Sequence, residues 1–176
     1  MGRRSLARGG LGALGVALLN GCGWSPVYRA AGPASPDVAA ALAAVNVRLI
    51  PERSGQLLRN ALQERLERGY GAAAPRYDLA TSFTLAEEGV AIAQDSTSTR
   101  IRITGTAVFT LQAHDAGQST LLSGTARSLD GLNAIGQEFF SQDLEREAVT
   151  RRIAEALADQ IALQIAAYFH RTPQTA

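Results

Sequence analysis

The strongest constraint on the fold is a two-residue alternation of apolar and polar side chains in the middle of the chain. Ile101, Ile103, Ala107, Phe109 and Leu111 are apolar, and mostly polar residues separate them. Because successive side chains of a β-strand point to opposite faces, the pattern predicts a long strand with one buried and one polar face. Such a strand is typical of an antiparallel sheet that is covered on one side.

Two segments with apolar residues every four positions are predicted to be the helices that cover this sheet. The first helix is predicted from about Gly55 to Arg68, with Ser54 as its N-cap. The second is predicted from about Gln142 to Phe169, with Ser141 as its N-cap. Their apolar stripes consist of Leu58, Leu62 and Leu66 in the first helix and of Ile153, Leu157, Ile161, Ile165 and Phe169 in the second. Each helix therefore presents one apolar side to a packing partner.

The remaining strands follow from shorter alternations. We predict strands at 45–50, ended by Pro51, at 77–86 with an extension through Val90 and Ile92, and at 120–128. Residues 114–117 (His-Asp-Ala-Gly) predict a turn between the last two long strands. The order strand, helix, three strands, helix predicts an α+β fold. In this fold two helices pack on one face of a four-stranded, mostly antiparallel sheet.

The start of the chain has the layout of a secretory signal peptide. Arginines precede an apolar run at 11–19 that is too short to span a bilayer, and Cys22 follows directly after Gly21. Residues 19–22, Leu-Asn-Gly-Cys, resemble a bacterial lipobox, which predicts cleavage after a 1–21 signal peptide and acylation of Cys22. The alternative is an ordinary cleaved signal with a cysteine nearby by chance.

The mature chain is predicted to have three parts. Residues 22–43 form an acylated N-terminus and tether interrupted by prolines and glycine, within which Ala39–Ala44 is compatible with a short helical turn. Residues 44–170 form the folded domain, and residues 171–176 form a loose polar tail. Because Cys22 is the chain's only cysteine, the domain has no internal disulfide and depends on its core for stability.

The charge balance argues against a nucleic-acid partner. The whole chain has 17 basic and 16 acidic residues. The predicted signal peptide contains three of the basic residues and none of the acidic ones, which leaves 14 against 16. A nucleic-acid-binding domain is expected to be strongly basic.

No residue pattern predicts catalysis, a metal site or a cofactor. His114 falls in a predicted turn and His170 at a helix end, and neither has a second ligand at metal spacing. Glu87 and Glu88 are adjacent in a strand, so they face opposite sides and do not form a carboxylate pair. Nucleophile-elbow and phosphate-loop motifs are missing. We therefore predict a protein that is not an enzyme.

Several short strings, in this order and spacing, resemble the LptE family of lipopolysaccharide-assembly lipoproteins, in particular its alphaproteobacterial branch. They are Gly-Cys-Gly-Trp at 21–24, Gln-Leu-Leu-Arg-Asn-Ala-Leu at 56–62, Ile-Ala-Gln-Asp at 92–95, Thr-Arg at 99–100 and Gln-Ile-Ala-Ala-Tyr-Phe at 164–169. The resemblance extends over essentially the whole chain.

This resemblance implies an accessory protein anchored in the periplasmic leaflet of the outer membrane. Members of the family fill the lumen of the large β-barrel LptD, assist its assembly and aid delivery of lipopolysaccharide to the cell surface. The family pattern places a basic residue associated with lipopolysaccharide contact at Arg100, and Arg102 lies on the same strand face. The alternative is that both arginines only solvate an exposed strand. A second basic position of some relatives falls near Gln142, which is uncharged.

Two other functions compete with this hypothesis. One is a periplasm-facing lipoprotein that binds lipid or serves another transport complex. The other is a hydrolase whose site has no recognisable motif.

Overall fold

The computed structural model describes residues 38–67, 74–92, 98–133 and 139–172. Their buried apolar side chains form one continuous hydrophobic core. In chain order the helices and strands are α1 (Val38–Ala43), β1 (Val45–Val47), α2 (Glu52–Leu66), β2 (Tyr77–Ile92), β3 (Ser98–Ala113), β4 (Thr120–Asn133) and α3 (Phe139–Arg171). Side chains are described for all of them except residues 91, 92, 98, 99 and 139–141.

The four strands form one mixed sheet in the order β1-β2-β3-β4. The short β1 runs parallel to the start of β2, while β2, β3 and β4 are antiparallel neighbours. The turn at 114–119 joins β3 to β4 as the sequence predicts. The predicted α+β fold with a mostly antiparallel four-stranded sheet is thereby confirmed.

All three helices contact the same layer of buried side chains on one face of the sheet. On β3 the buried positions are Ile103, Ala107, Phe109 and Leu111, and their even-numbered neighbours face the opposite side. The stripes of α2 and α3 are buried as predicted, including Leu58, Leu62, Ile161 and Phe169. Burial of side chains of this size supplies the main stabilising free energy, since the described residues contain no disulfide.

A third helix, α1, adds to the two predicted ones. The sequence allowed a helical turn here, but residues 38–43 belong to the predicted tether. Val38, Ala41 and Leu42 are instead buried against the core. Small alanine side chains let the helix lie close to its neighbours. The packed domain begins at Val38 among the described residues, and the preceding part of the tether lies outside them.

Two details at the start of α2 differ from the sequence prediction. Ser54 is not the N-cap, because the helix already begins at Glu52 behind Pro51, which makes no side-chain capping bond. Leu49 does not continue the buried alternation of β1. The strand ends at Val47, so Leu49 is 78% exposed and Ile50 is buried in its place. Short-range patterns do not reveal where tertiary packing ends a strand.

The outer edge of β4 is hydrogen-bonded by two glutamines of α3. Gln160 Nε2 donates to Arg127 O (3.1 Å) and Gln160 Oε1 accepts from Arg127 N (3.3 Å), while Gln164 Nε2 donates to Thr125 O (3.4 Å). An uncovered edge strand is a template for pairing with other chains. The side-chain amides of Gln160 and Gln164 therefore make hydrogen bonds to the edge of β4 that a neighbouring strand would otherwise make.

Replacing Gln160 with alanine is expected to lower the free energy of unfolding by about 1 kcal/mol and to increase aggregation, because two partly exposed hydrogen bonds are lost and the edge opens. Urea unfolding and light scattering measure these effects. Glu155→Ala, on the same helix near Arg65, is the control. Equal aggregation of the two variants would contradict the proposed protection of the edge.

Candidate functional site

The face of the sheet opposite the helices carries mainly small polar side chains. Its central rows place Thr84 and Arg127 on either side of Thr106, and Glu88 and Gly131 on either side of Arg102. Between the register shifts after Gly89 and after Leu111, even-numbered residues of β2 and β3 and odd-numbered residues of β4 face this side, which we call the open face. The helices of the described residues pack on the other face, and Ser82, Thr84, Val108 and Leu129 are exposed on this one. The open face is therefore accessible to a partner.

One end of the open face contains a shallow depression of about 620 Å³. Seven residues line it, namely Val90, Arg100, Ile101, Arg102, Leu129, Asp130 and Gly131. Both arginines singled out by the sequence therefore border one space. Gly131 lies directly opposite Arg102 in the β3–β4 register, and because glycine has no side chain the space beside the arginine remains open.

The charges around the depression leave it cationic. Arg102 Nη1 lies 3.5 Å from Glu88 Oε2, a long contact between two well exposed side chains. Asp130 is already engaged, because Arg152 Nε lies 2.7 Å from its Oδ2 and Gly131 N donates to its Oδ1 at 2.7 Å. Burial alone raises the pKa of Asp130, but the hydrogen bonds from Arg152 and Gly131 outweigh burial and lower that pKa. Its negative charge is thus matched by Arg152, not by Arg100 or Arg102.

The other candidate residues lie elsewhere. Cys22 and the predicted signal peptide fall outside the described residues. Gln142 is near the start of α3 and does not line the depression. Glu87 and Glu88 point to opposite sides of the sheet, with Glu87 paired to Arg146 (3.0 Å) and Glu88 to Arg102.

The described residues contain no cluster of three or more side chains suited to a metal ion. His170 is exposed at the end of α3. Over the same residues, every helix falls short of the length and apolarity needed to cross a bilayer.

His114 contacts a carboxylate at the opposite end of the sheet from the depression. Its Nδ1 lies 2.6 Å from Asp78 Oδ2, and Asn46 Nδ2 donates to Asp78 Oδ1 at 2.7 Å. Burial by itself raises the pKa of Asp78, but the hydrogen bonds from His114 and Asn46 outweigh it and hold the pKa below its ordinary value. This cluster ties β1, β2 and the β3–β4 turn together.

Asp78→Asn is expected to destabilise the protein at neutral pH, and the difference from the unsubstituted chain is expected to shrink in acid. A carboxyl group with a lowered folded-state pKa contributes stability above its unfolded-state pKa, about 3.9. That contribution disappears as the pH falls through the folded-state pKa. Urea unfolding between about pH 7 and pH 2 measures it. A difference that is independent of pH would contradict the assignment.

Comparisons with known proteins agree with this fold. The family described as LptE, Lipopolysaccharide-assembly, matches residues 42–165. No curated protein matches the chain in sequence.

Three solved structures share the fold at low sequence identity. A candidate lipoprotein from Caulobacter crescentus CB15 is 18% identical with a TM-score of 0.59, and the match covers 74% of this chain and 94% of that one. A minor lipoprotein from Acinetobacter baumannii is 16% identical with a TM-score of 0.53, covering 75% and 95%. The rare lipoprotein B from Shewanella oneidensis is 12% identical with a TM-score of 0.52, covering 70% and 93%.

Proposed function

Because the chain belongs to the LptE family of lipopolysaccharide-assembly proteins, we propose that it is the outer-membrane lipoprotein subunit of a lipopolysaccharide translocon. In this role it sits on the periplasmic side, plugs and helps to assemble an LptD-like β-barrel, and aids insertion of lipopolysaccharide at the cell surface. The observation that carries the proposal is the family match over 42–165, which includes almost all of the described domain. The chain acts by binding and not by catalysis.

The open face has the chemistry that a wet barrel lumen requires. Thr84, Thr106, Thr110 and Ser123 offer hydroxyl groups that both donate and accept hydrogen bonds. Such a surface exchanges water for polar partners at little cost, whereas an apolar surface would favour aggregation before assembly. The polar face supports a lumenal position for the domain.

The lipid anchor is proposed at Cys22. One acyl chain binds a membrane only marginally, at about 0.8 kcal/mol per buried methylene, so durable anchoring requires more than one chain. Acylation of Cys22 supplies them, and residues 23–37 then connect the anchor to α1. Mass spectrometry of the mature N-terminus is expected to show a cysteine with attached acyl chains. An unmodified N-terminus at another residue would refute the anchor.

Arg100 and Arg102 are the proposed contacts for lipopolysaccharide. The planar guanidinium group donates two parallel hydrogen bonds to phosphate oxygens, and both arginines border the cationic depression. The long Arg102–Glu88 contact is between exposed groups and is worth little, so a phosphate can replace it.

The double variant Arg100→Ala/Arg102→Ala is expected to bind lipopolysaccharide roughly tenfold to a hundredfold more weakly, since charge-assisted hydrogen bonds contribute about 1.5–3 kcal/mol each before solvent screening. Equilibrium binding of the full chain measures this change. Arg53→Ala/Arg151→Ala removes two exposed arginines that both contact Glu147 and do not line the depression, and is the matched control. Equal binding by both double variants would refute the arginine contact.

A further inference from the structure

Leu129 is an apolar exception on the open face. It is 66% exposed, although its neighbours in the same sheet row are Thr104 and Ala86. Because most of this side chain stays in contact with water, the folded domain does not gain the stabilisation that full burial of a leucine supplies. Val108 is a further large apolar residue on this face, but it does not line the depression.

The pairing of β3 with β4 places Leu129 close to Arg102. Arg102 pairs with Gly131, and Thr104 pairs with Leu129, so Leu129 lies one row from Arg102 along the open face. Val90 lines the same depression and is 39% exposed. Two exposed apolar side chains and two arginines therefore border one space, while Gly131 between them contributes no side chain.

This combination matches an amphiphile more closely than a soluble anion. A free phosphate or phosphorylated sugar needs only the arginines and gains nothing from Leu129. A phosphorylated, acylated glycolipid carries its anionic groups next to the first methylenes of its acyl chains. Methylenes that move from water onto Leu129 and Val90 contribute binding free energy in proportion to the apolar area buried.

We propose that Leu129, together with Val90, forms an acyl-chain subsite beside Arg100 and Arg102. The depression then recognises lipopolysaccharide by phosphate and by the start of an acyl chain at once. This inference rests on the proposed function, because it specifies what the same site binds. Leu129 sets the preference for the acylated ligand, and the arginines supply affinity for the phosphates.

The test compares two ligands and two substitutions in the full anchored chain, reconstituted in nanodiscs that lack lipopolysaccharide. The ligands are lipopolysaccharide and the same material with its acyl chains removed and its phosphates retained. Leu129→Thr removes apolar area while keeping a strand-favouring side chain. Val108→Thr, on the same face but outside the depression, is the matched control.

Leu129→Thr is expected to weaken binding of the acylated ligand roughly tenfold, in line with loss of most of one leucine contact. It is expected to leave binding of the deacylated ligand unchanged, and Val108→Thr is expected to change neither. Unchanged binding of the acylated ligand, or an equal loss for both ligands, would overturn the subsite. A loss of barrel co-purification without a change in lipopolysaccharide binding would also overturn it, because Leu129 would then contact protein.

The arginine double variant separates the two claims. If Arg100→Ala/Arg102→Ala weakens binding of both ligands while Leu129→Thr has no effect, the acyl-chain subsite fails and the proposed arginine contact remains. If the arginine double variant binds both ligands with unchanged affinity, the arginine contact is refuted, regardless of the effect of Leu129→Thr.

Discussion

Replacing Phe109 with alanine is expected to lower the free energy of unfolding by about 3–5 kcal/mol, the usual cost of truncating a fully buried aromatic side chain. Phe109 is 1% exposed at the centre of β3. Its ring covers Gly124 of the neighbouring strand so closely that a Cβ atom at Gly124 would lie 2.7 Å from Phe109 Cζ. The surrounding strands and α3 hold this space open, so the variant is left with a cavity.

Val108→Ala is the matched control for this substitution. Val108 adjoins Phe109 in β3 but lies on the open face, where it is 51% exposed. Its truncation is expected to cost less than about 1 kcal/mol, since little apolar area is lost from a packed site. Chemical denaturation measures both variants. Similar losses for Val108→Ala and Phe109→Ala would contradict the assignment of one buried and one open face.

Replacing Gly105 with alanine is expected to destabilise the domain by about 2 kcal/mol, because the new methyl group has no room. A Cβ atom at Gly105 would overlap the Ile153 side chain and would lie 3.1 Å from Phe83 Cε2 and 3.3 Å from Leu157 Cδ1. Ile153 and Leu157 are fully buried on α3 and cannot swing into solvent. Gly105 is therefore a position at which α3 packs closely on the sheet.

The direction of the change in stability distinguishes a steric clash at Gly105 from the ordinary effect of a glycine-to-alanine substitution. Without a clash, a glycine-to-alanine change typically stabilises a protein by about 0.4–1 kcal/mol through the unfolded chain. Gly117→Ala in the β3–β4 turn is the control, because the nearest atom to its new Cβ is at an ordinary 3.5 Å. The midpoint temperature of thermal unfolding is expected to fall for Gly105→Ala and not to fall for Gly117→Ala. A Gly105→Ala variant as stable as Gly117→Ala would contradict the close packing of α3 on β3.

The one-sided sheet could be predicted because its cause is local. Along β3, the alternation predicts the buried residues Ile103, Ala107, Phe109 and Leu111, while Ile101 is only partly buried. The apolar stripes of α2 and α3 predict the buried sides of the helices in the same way. The start of α2 could not be predicted in this way. Ser54 is a good N-cap by type, yet the helix begins at Glu52. At the start of α2, Ile50 packs so closely on Gly55 that a Cβ atom there would lie 2.7 Å from Ile50 Cγ2, a contact that the capping pattern does not reveal.

The residues of the candidate site also fall into two groups, those that the sequence indicates and those that only the strand pairing reveals. The resemblance to the LptE family singles out Arg100 from the sequence, and the strand alternation adds Arg102 on the same face. The sequence does not single out Leu129 and Gly131, because their role depends on which β4 residues lie opposite Arg102. The sequence alone does not determine the register of β4, because Leu121 and Leu122 are adjacent and both apolar. Pairing of Leu122 with Leu111 resolves it and brings Leu129 and Gly131 to the depression.

Affinity purification is the most direct test of the proposal that this domain is the partner of an outer-membrane barrel. The full chain carries a C-terminal tag and is purified from outer membranes after mild detergent extraction. We expect a very large β-barrel protein to co-purify in near-equal amount, and to remain when the Arg100→Ala/Arg102→Ala variant is used. Recovery of inner-membrane transporter subunits alone, with no barrel, would contradict the account and favour a lipoprotein of another transport complex.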